Sequence, residues 1–186
     1  MTKIEEIKRI MKALVIASPH DVGTVMAALG IWKAGASAEN NSMKRLRYLA
    51  DLGKLERGKG YFRVPGCKSE FNEHARLLTK CIGQILSLPP AFESVIHREH
   101  PLPDDVGLRP DALVFVKKGS HGLCVYLEAV NQEREPSIRN KRTKLESWPG
   151  ATQYLSRLFG RPIPHFDFLT SDELPVYIKE VILNEN

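Results

Sequence analysis

Asp111 and Glu128 are the residues of this chain whose types and spacing point most directly to chemistry. Asp111 opens the apolar run Ala112-Leu113-Val114-Phe115-Val116, and Glu128 closes a second, Leu123-Cys124-Val125-Tyr126-Leu127. Both runs have strand length and composition, and Lys117-Lys118-Gly119-Ser120-His121-Gly122 between them reads as a turn. In an antiparallel hairpin the start of one strand lies beside the end of the next. Two carboxylates seventeen positions apart are therefore expected side by side at one end of a sheet. Such a pair can hold a hard divalent cation against a phosphate, as metal-assisted phosphodiester hydrolysis requires. Acids also bound strands in turns with no such role.

The elements that must position this pair are legible around it. A helix is expected over 70–86, with Phe71, Leu77, Leu78, Ile82 and Ile85 on its apolar face and Glu73 as a further carboxylate. A first strand over 92–98 leads through a proline-rich connection to the hairpin. A strongly basic helix over 137–148 follows, carrying Arg139, Lys141, Arg142 and Lys144. Pro149-Gly150 interrupts it, and helix resumes over 151–159. A last strand over 165–170 precedes a closing helix, with Ser171-Asp172-Glu173 as its cap. The order α-β-β-β-α-β-α defines an α+β or α/β domain over 67–186, entered after Pro65-Gly66.

Residues 1–66 read as a separate domain. Ile4, Ile7, Ile10, Met11 and Leu14 recur at helical spacing. Asp21 is a candidate N-cap for a second helix over 22–29, which Gly30 closes. A third helix is expected over 42–52, capped by Asn41 or Ser42, with Met43, Leu46, Leu49 and Ala50 inward and Lys44, Arg45, Arg47 and Tyr48 outward. Alternating segments then flank Gly58-Lys59-Gly60, with Arg57 beside the tip. Helix, helix, basic helix and basic hairpin resemble a winged helix-turn-helix. That resemblance implies a recognition helix in the major groove and a wing, at Lys59, on backbone or minor groove. A solvated helix face, or a protein-interaction module, has the same pattern.

Charge supports the nucleic-acid reading. The net charge is +5, and residues 1–66 hold twelve Lys/Arg against six Asp/Glu. The remainder holds fifteen basic and sixteen acidic residues, so the whole surplus sits in the first third. A local surplus of this kind is an electrostatic footprint for phosphate backbones. No apolar run approaches a membrane span, and the N-terminus is not a secretory signal. Cys67, Cys81 and Cys124 are odd in number and far apart, which suits reduced thiols in a cytoplasmic protein. The six histidines, at positions 20, 74, 97, 100, 121 and 165, show no zinc-enzyme spacing. A P-loop motor is excluded by the absence of its glycine motif. A relaxase is excluded because its tyrosine and histidine cluster is missing. Trp148 and Tyr154 read as core residues rather than base-stacking platforms.

Pro110-Asp111, a hairpin and Glu128 together resemble the PD-(D/E)xK nuclease superfamily. There, acid-x-Lys supplies an amine that orients or activates the attacking water. This chain has Glu128-Ala129-Val130, and valine can do neither. The resemblance implies Asp111, Glu128 and, more weakly, Glu73 as ligands of Mg²⁺ or Mn²⁺. An amine could come from Lys144, with Lys141 the next candidate; Gln132 could bind water but supplies no charge. The winged pattern with Glu73-His74, Arg109-Pro110-Asp111-Ala112-Leu113, Glu128, Lys144 and Trp148 is similar to the replication-relaxation family. These are plasmid and mobile-element proteins associated with replication, mobilisation and relaxosome assembly.

The expectation that follows is a DNA-binding accessory protein of a mobile element. Duplex DNA would be held by Lys44, Arg45, Arg47, Tyr48, Arg57 and Lys59, with Arg139, Lys141 and Arg142 as a second contact. No cofactor is required for that role. Partners implied are a relaxase or a replication or transposition protein, with a homodimer compatible, and no membrane. Because Val130 stands where lysine is expected, an inactive nuclease-like domain is favoured. The alternatives are a Mg²⁺-dependent endonuclease using Asp111, Glu128 and Lys144, and a transcriptional regulator with a C-terminal interaction domain.

Overall fold

The computed structural model describes residues 2–67, 70–119, 121–130 and 135–184. They form a mixed α+β protein of two compact units, Met1–Pro90 and Ala91–Asn186.

The first unit begins with α1 (Lys3–Leu14), whose capping box pairs Thr2 with Glu5. Its apolar stripe, Ile7, Ile10, Met11 and Leu14, is fully buried. A two-residue strand β1 (Ile16–Ala17) follows, too short for any periodicity to announce it. Helix α2 (Pro19–Ala28) starts three residues before the expected 22, because Ser18 rather than Asp21 is its N-cap. Asp21 is instead the third helical residue, and its carboxylate reaches back to the Ser18 amide in a capping box. Gly30 ends the helix with φ +70°.

Helix α3 (Ala36–Asp51) also starts early, and neither Asn41 nor Ser42 caps it. Ser42 is fully buried inside the helix. The reason is the close passage of α2: a β-carbon on Gly23 would stand 3.0 Å from the Ala38 carbonyl carbon. That contact holds the turn over 36–41 in helical geometry. Strands β2 (Glu56–Arg57) and β3 (Phe62–Arg63) form the hairpin, and β1 adds to β3 in the order β1-β3-β2.

Helix α4 (Glu73–Leu86) was expected to open the second domain, but the compact unit extends through it. It packs on α1, α2 and β1, and Thr79 Oγ1 donates to the Ile16 carbonyl at 2.9 Å. The compact units divide after Pro90, whereas the sequence pattern places its boundary after Gly66. An amphipathic stripe such as Ala75, Leu78, Ile82 and Ile85 shows that a helix is buried on one side, not against which neighbour.

The second unit is built on a sheet of order β4-β5-β6-β7. Strands β4 (Phe92–Arg98), β5 (Ala112–Lys118) and β6 (His121–Glu128) form an antiparallel meander. The hairpin turn is tighter than the expected 117–122: Lys117 pairs with Gly122 and Lys118 with His121. Phe115 lies over Gly122, where any β-carbon would stand 2.6 Å from the ring. Strand β7 (Phe166–Thr170) runs parallel to β6. Parallel neighbours need a crossover, supplied here by α5 (Glu135–Glu146) and α6 (Ala151–Phe159). Leu113, Phe115, Cys124 and Tyr126 meet Ile138, Leu145 and Leu155 of those helices in one core. The chain closes with α7 (Leu174–Tyr177), which continues as a wider helical turn over Ile178–Ile182. Glu173, within the expected cap, stands at the N-cap position without a side-chain capping bond, and its carboxylate accepts from the Thr170 amide at 2.8 Å. Among the described residues no helix is long and apolar enough to cross a membrane.

Candidate functional site

Pairing of Ala112 with Leu127 sets Asp111 opposite Glu128, at the end of the β5–β6 ladder. Asp111 Oδ2 accepts the Ala129 amide at 2.7 Å, which pins its carboxylate beside the end of β6. Asp111 is half-buried and Glu128 is only 4% exposed. The two acids expected together are together.

An amine reaches this pair from a different element. Lys141 extends from α5, and its Nζ donates to Glu128 Oε2 at 3.1 Å. Ile138 and Leu145 anchor α5 in the core. At three positions beyond Ile138 and four before Leu145, Lys141 shares their general side of the helix. Lys144, the first candidate for this role, lies elsewhere: its Nζ is 3.5 Å from where a β-carbon on Gly107 would stand. Val130 packs against the hydrophobic core of the unit, so a lysine at that position would start from an apolar setting. Gln132 lies outside the described residues.

Electrostatics around Glu128 are opposed. Burial, and then the charge of Asp111, push its pKa above the usual carboxylate range, while Lys141 and the Tyr126 hydroxyl pull it down. Ionised Glu128 is therefore held at a cost.

Ser171 frames the pair and was missed as anything but a helix cap. Its amide donates to the Glu128 carbonyl at 2.8 Å, and its Oγ accepts from the Val130 amide at 3.2 Å. Glu173 was also read only as a cap. Arg142 grips it, with Nη2 at 2.8 Å from both carboxylate oxygens, and lies 5.1 Å above the Phe168 ring. Arg142 thus ties α5 to the start of α7. Those hydrogen bonds lower the Glu173 pKa despite the opposing effect of burial. Arg139 is exposed, with Glu135 at 3.9 Å. No sequence signal pairs residues 31 positions apart such as Arg142 and Glu173.

Asp111 and Glu128 fit a hard divalent cation. Mg²⁺ keeps several waters and is usually held by one or two carboxylates with substrate phosphate oxygens, and one oxygen of each acid here is engaged by Ala129 or Lys141. Glu73 lies exposed at the start of α4 in the other unit. Among the described residues no group of three His, Cys, Asp or Glu side chains could hold a metal by itself.

In the first unit, Lys44, Arg45, Arg47 and Tyr48 all face outward on α3, while Leu46 and Leu49 are buried. Arg57 and Lys59 are exposed on the hairpin. Arg63 is turned to Glu56 at 2.7 Å instead. Among the described residues Lys44, Arg45, Arg47, Arg57 and Lys59 have no ion-pair partner.

Comparison with protein-family models, curated proteins and solved structures finds no match.

Proposed function

We propose that this is a DNA-binding protein whose second unit carries a metal-dependent phosphodiesterase centre of PD-(D/E)xK type. Lys141 Nζ at 3.1 Å from Glu128, with Asp111 beside it, carries the proposal. The valine at 130 argues for an inactive domain, and an amine delivered from α5 weakens that argument. The meander of β4, β5 and β6 followed by a helical crossover to a parallel β7 supports the same reading.

In this reading Asp111 and Glu128 hold the cation, which when bound offsets charge on the phosphate and makes its water more acidic. Lys141 orients the attacking water and faces the charge that builds on phosphate oxygens. Water adds to phosphorus as the bond to the leaving oxygen breaks, and that oxygen takes a proton. Ser171 and the Ala129 amide position the two acids. The first unit acts as a winged helix, with α3 as the recognition helix and Lys59 at the wing tip. A cytoplasmic role in mobile-element replication or mobilisation, as in the replication-relaxation family, accommodates both units.

The test is nicking of supercoiled plasmid with Mg²⁺ or Mn²⁺ by wild type, Asp111→Ala and Lys141→Ala. Nicking by wild type and loss of roughly a hundredfold or more in either variant is expected, since a positioned acid–base group contributes at least that much. Metal-independent nicking, or full activity of Asp111→Ala, overturns the assignment.

A further inference from the structure

An open groove of about 730 Å³ lies within the first unit, between α2, α4 and the hairpin tip. That is within the range of small-molecule sites. Its walls are mainly apolar, with Val25 and Ala28 from α2 and the bare backbone of Gly83 from α4. The charges on it are one-sided. Lys59 enters from the hairpin tip, and Arg76 and Lys80 enter from α4 one turn apart.

No described residue of the groove neutralises them. Among the described residues these three cations have no ion-pair partner. Asp21 is the one carboxylate on the lining, and its Oδ2 is engaged by the amide and hydroxyl of Ser18. The other hydroxyls are also engaged: Thr79 donates to Ile16, Ser87 to Gly83 and Thr24 to His20. Gln84 is the exception. Its Oε1 is buried and accepts no hydrogen bond among the described residues. A buried acceptor without a partner costs about 1–3 kcal/mol, and turning the Gln84 amide into the groove it lines lets a ligand donor recover it. Arg76 is braced by the Phe71 ring, 5.2 Å from its centroid, and Phe71 by Tyr61, ring centroids 5.3 Å apart.

We infer that this groove binds a small organic phosphate: an anionic head on Lys59, Arg76 and Lys80, and a flat apolar body carrying an N–H or O–H donor for Gln84. Three cations against one engaged carboxylate suit a dianion, and the apolar walls suit a ring larger than inorganic phosphate. This site stands apart from the Asp111–Glu128 centre and does not depend on its chemistry. Lys59 serves both the groove and the proposed wing, so occupancy withdraws one cation from DNA.

The test is titration of the full-length protein with adenosine 5′-monophosphate, adenosine and inorganic phosphate, followed by calorimetry and amide NMR. Saturable one-to-one binding of the monophosphate is expected, with shifts in the Gln84 side-chain amide. Adenosine and inorganic phosphate should each bind at least roughly tenfold more weakly, about the effect of one charge-assisted hydrogen bond. Arg76→Ala/Lys80→Ala should weaken the monophosphate by a similar factor or more, with its melting temperature within about 2–4 °C of wild type because both side chains are exposed and only the Arg76–Phe71 contact is lost. Inorganic phosphate binding as well as the monophosphate overturns the inference, as does unaltered binding by the double variant. So does the absence of saturable binding by all three probes. Arg45→Ala serves as a control on α3: equal loss there would assign the signal to the DNA face and also overturn it.

Discussion

Lys141 on α5 reaches Glu128 at the end of β6 across 13 positions of sequence, with 3.1 Å between Nζ and Oε2. The lysine puts an amine beside Glu128, where the residue two places after it, Val130, has none. A single ion pair thus changes the reading of the second unit from an inactive scaffold to a candidate catalyst.

Glu128→Gln separates stability from activity. Because the folded-state pKa of Glu128 is raised by burial and by Asp111, the group favours folding below the ordinary carboxylate range. That contribution is lost as pH rises through the folded value. At neutral pH a neutral amide should therefore be more stable than the ionised acid, with the difference shrinking as pH falls toward 4.5. Each roughly 1 kcal/mol gained raises Tm by about 2–4 °C in a chain of this size. Metal-dependent nicking should vanish in the same variant. Calorimetric melts from about pH 4 to about pH 8 check the sign, and a Tm below wild type at neutral pH would refute it.

Replacing Arg45, Arg47 and Lys59 by alanine should weaken duplex binding and flatten its salt dependence. The expected change is roughly one unit of slope for each phosphate no longer neutralised. Fluorescence anisotropy across a salt titration measures both quantities. Equal slopes for wild type and the triple variant would remove α3 and the hairpin from the interface. A weakening confined to one sequence would mark an arginine as a base reader.

Thiol reactivity should rank by burial. Cys124 is 1% exposed, and burial with the nearby charge of Asp167 pushes its pKa up to about 12. Cys67 is half-buried. A maleimide at about pH 8 should modify Cys67 first and reach Cys124 only through unfolding, since the thiolate is the nucleophile. Peptide mapping by mass spectrometry over time reads the order directly.

Ser18→Ala removes the hydroxyl that accepts from the Asp21 amide and donates to its carboxylate. The cost should be about 1 kcal/mol, typical for removal of an N-cap. Chemical denaturation checks it through a lower midpoint at unchanged slope.

Local pattern determined much of this protein. The run Ala112–Val116 is recognisable as a strand because it is continuously apolar and β-branched, and all five residues are buried. The hairpin alone sets Asp111 beside Glu128, since antiparallel pairing admits no other arrangement of those ends. The outward face of α3 is likewise written in its period. What the chain could not reveal by itself depends on packing between distant elements. Helix α4 carries a clear apolar stripe, yet only its packing on α1, α2 and β1 places it in the first unit. Helix α3 begins at Ala36, ahead of the local cap candidates Asn41 and Ser42, where Gly23 of α2 passes close to Ala38. Lys141 and Lys144 are three positions apart on one basic helix and indistinguishable by composition. Anchoring of Ile138 and Leu145 in the core fixes the rotation of α5, and that rotation sends one amine to Glu128 and the other to Gly107.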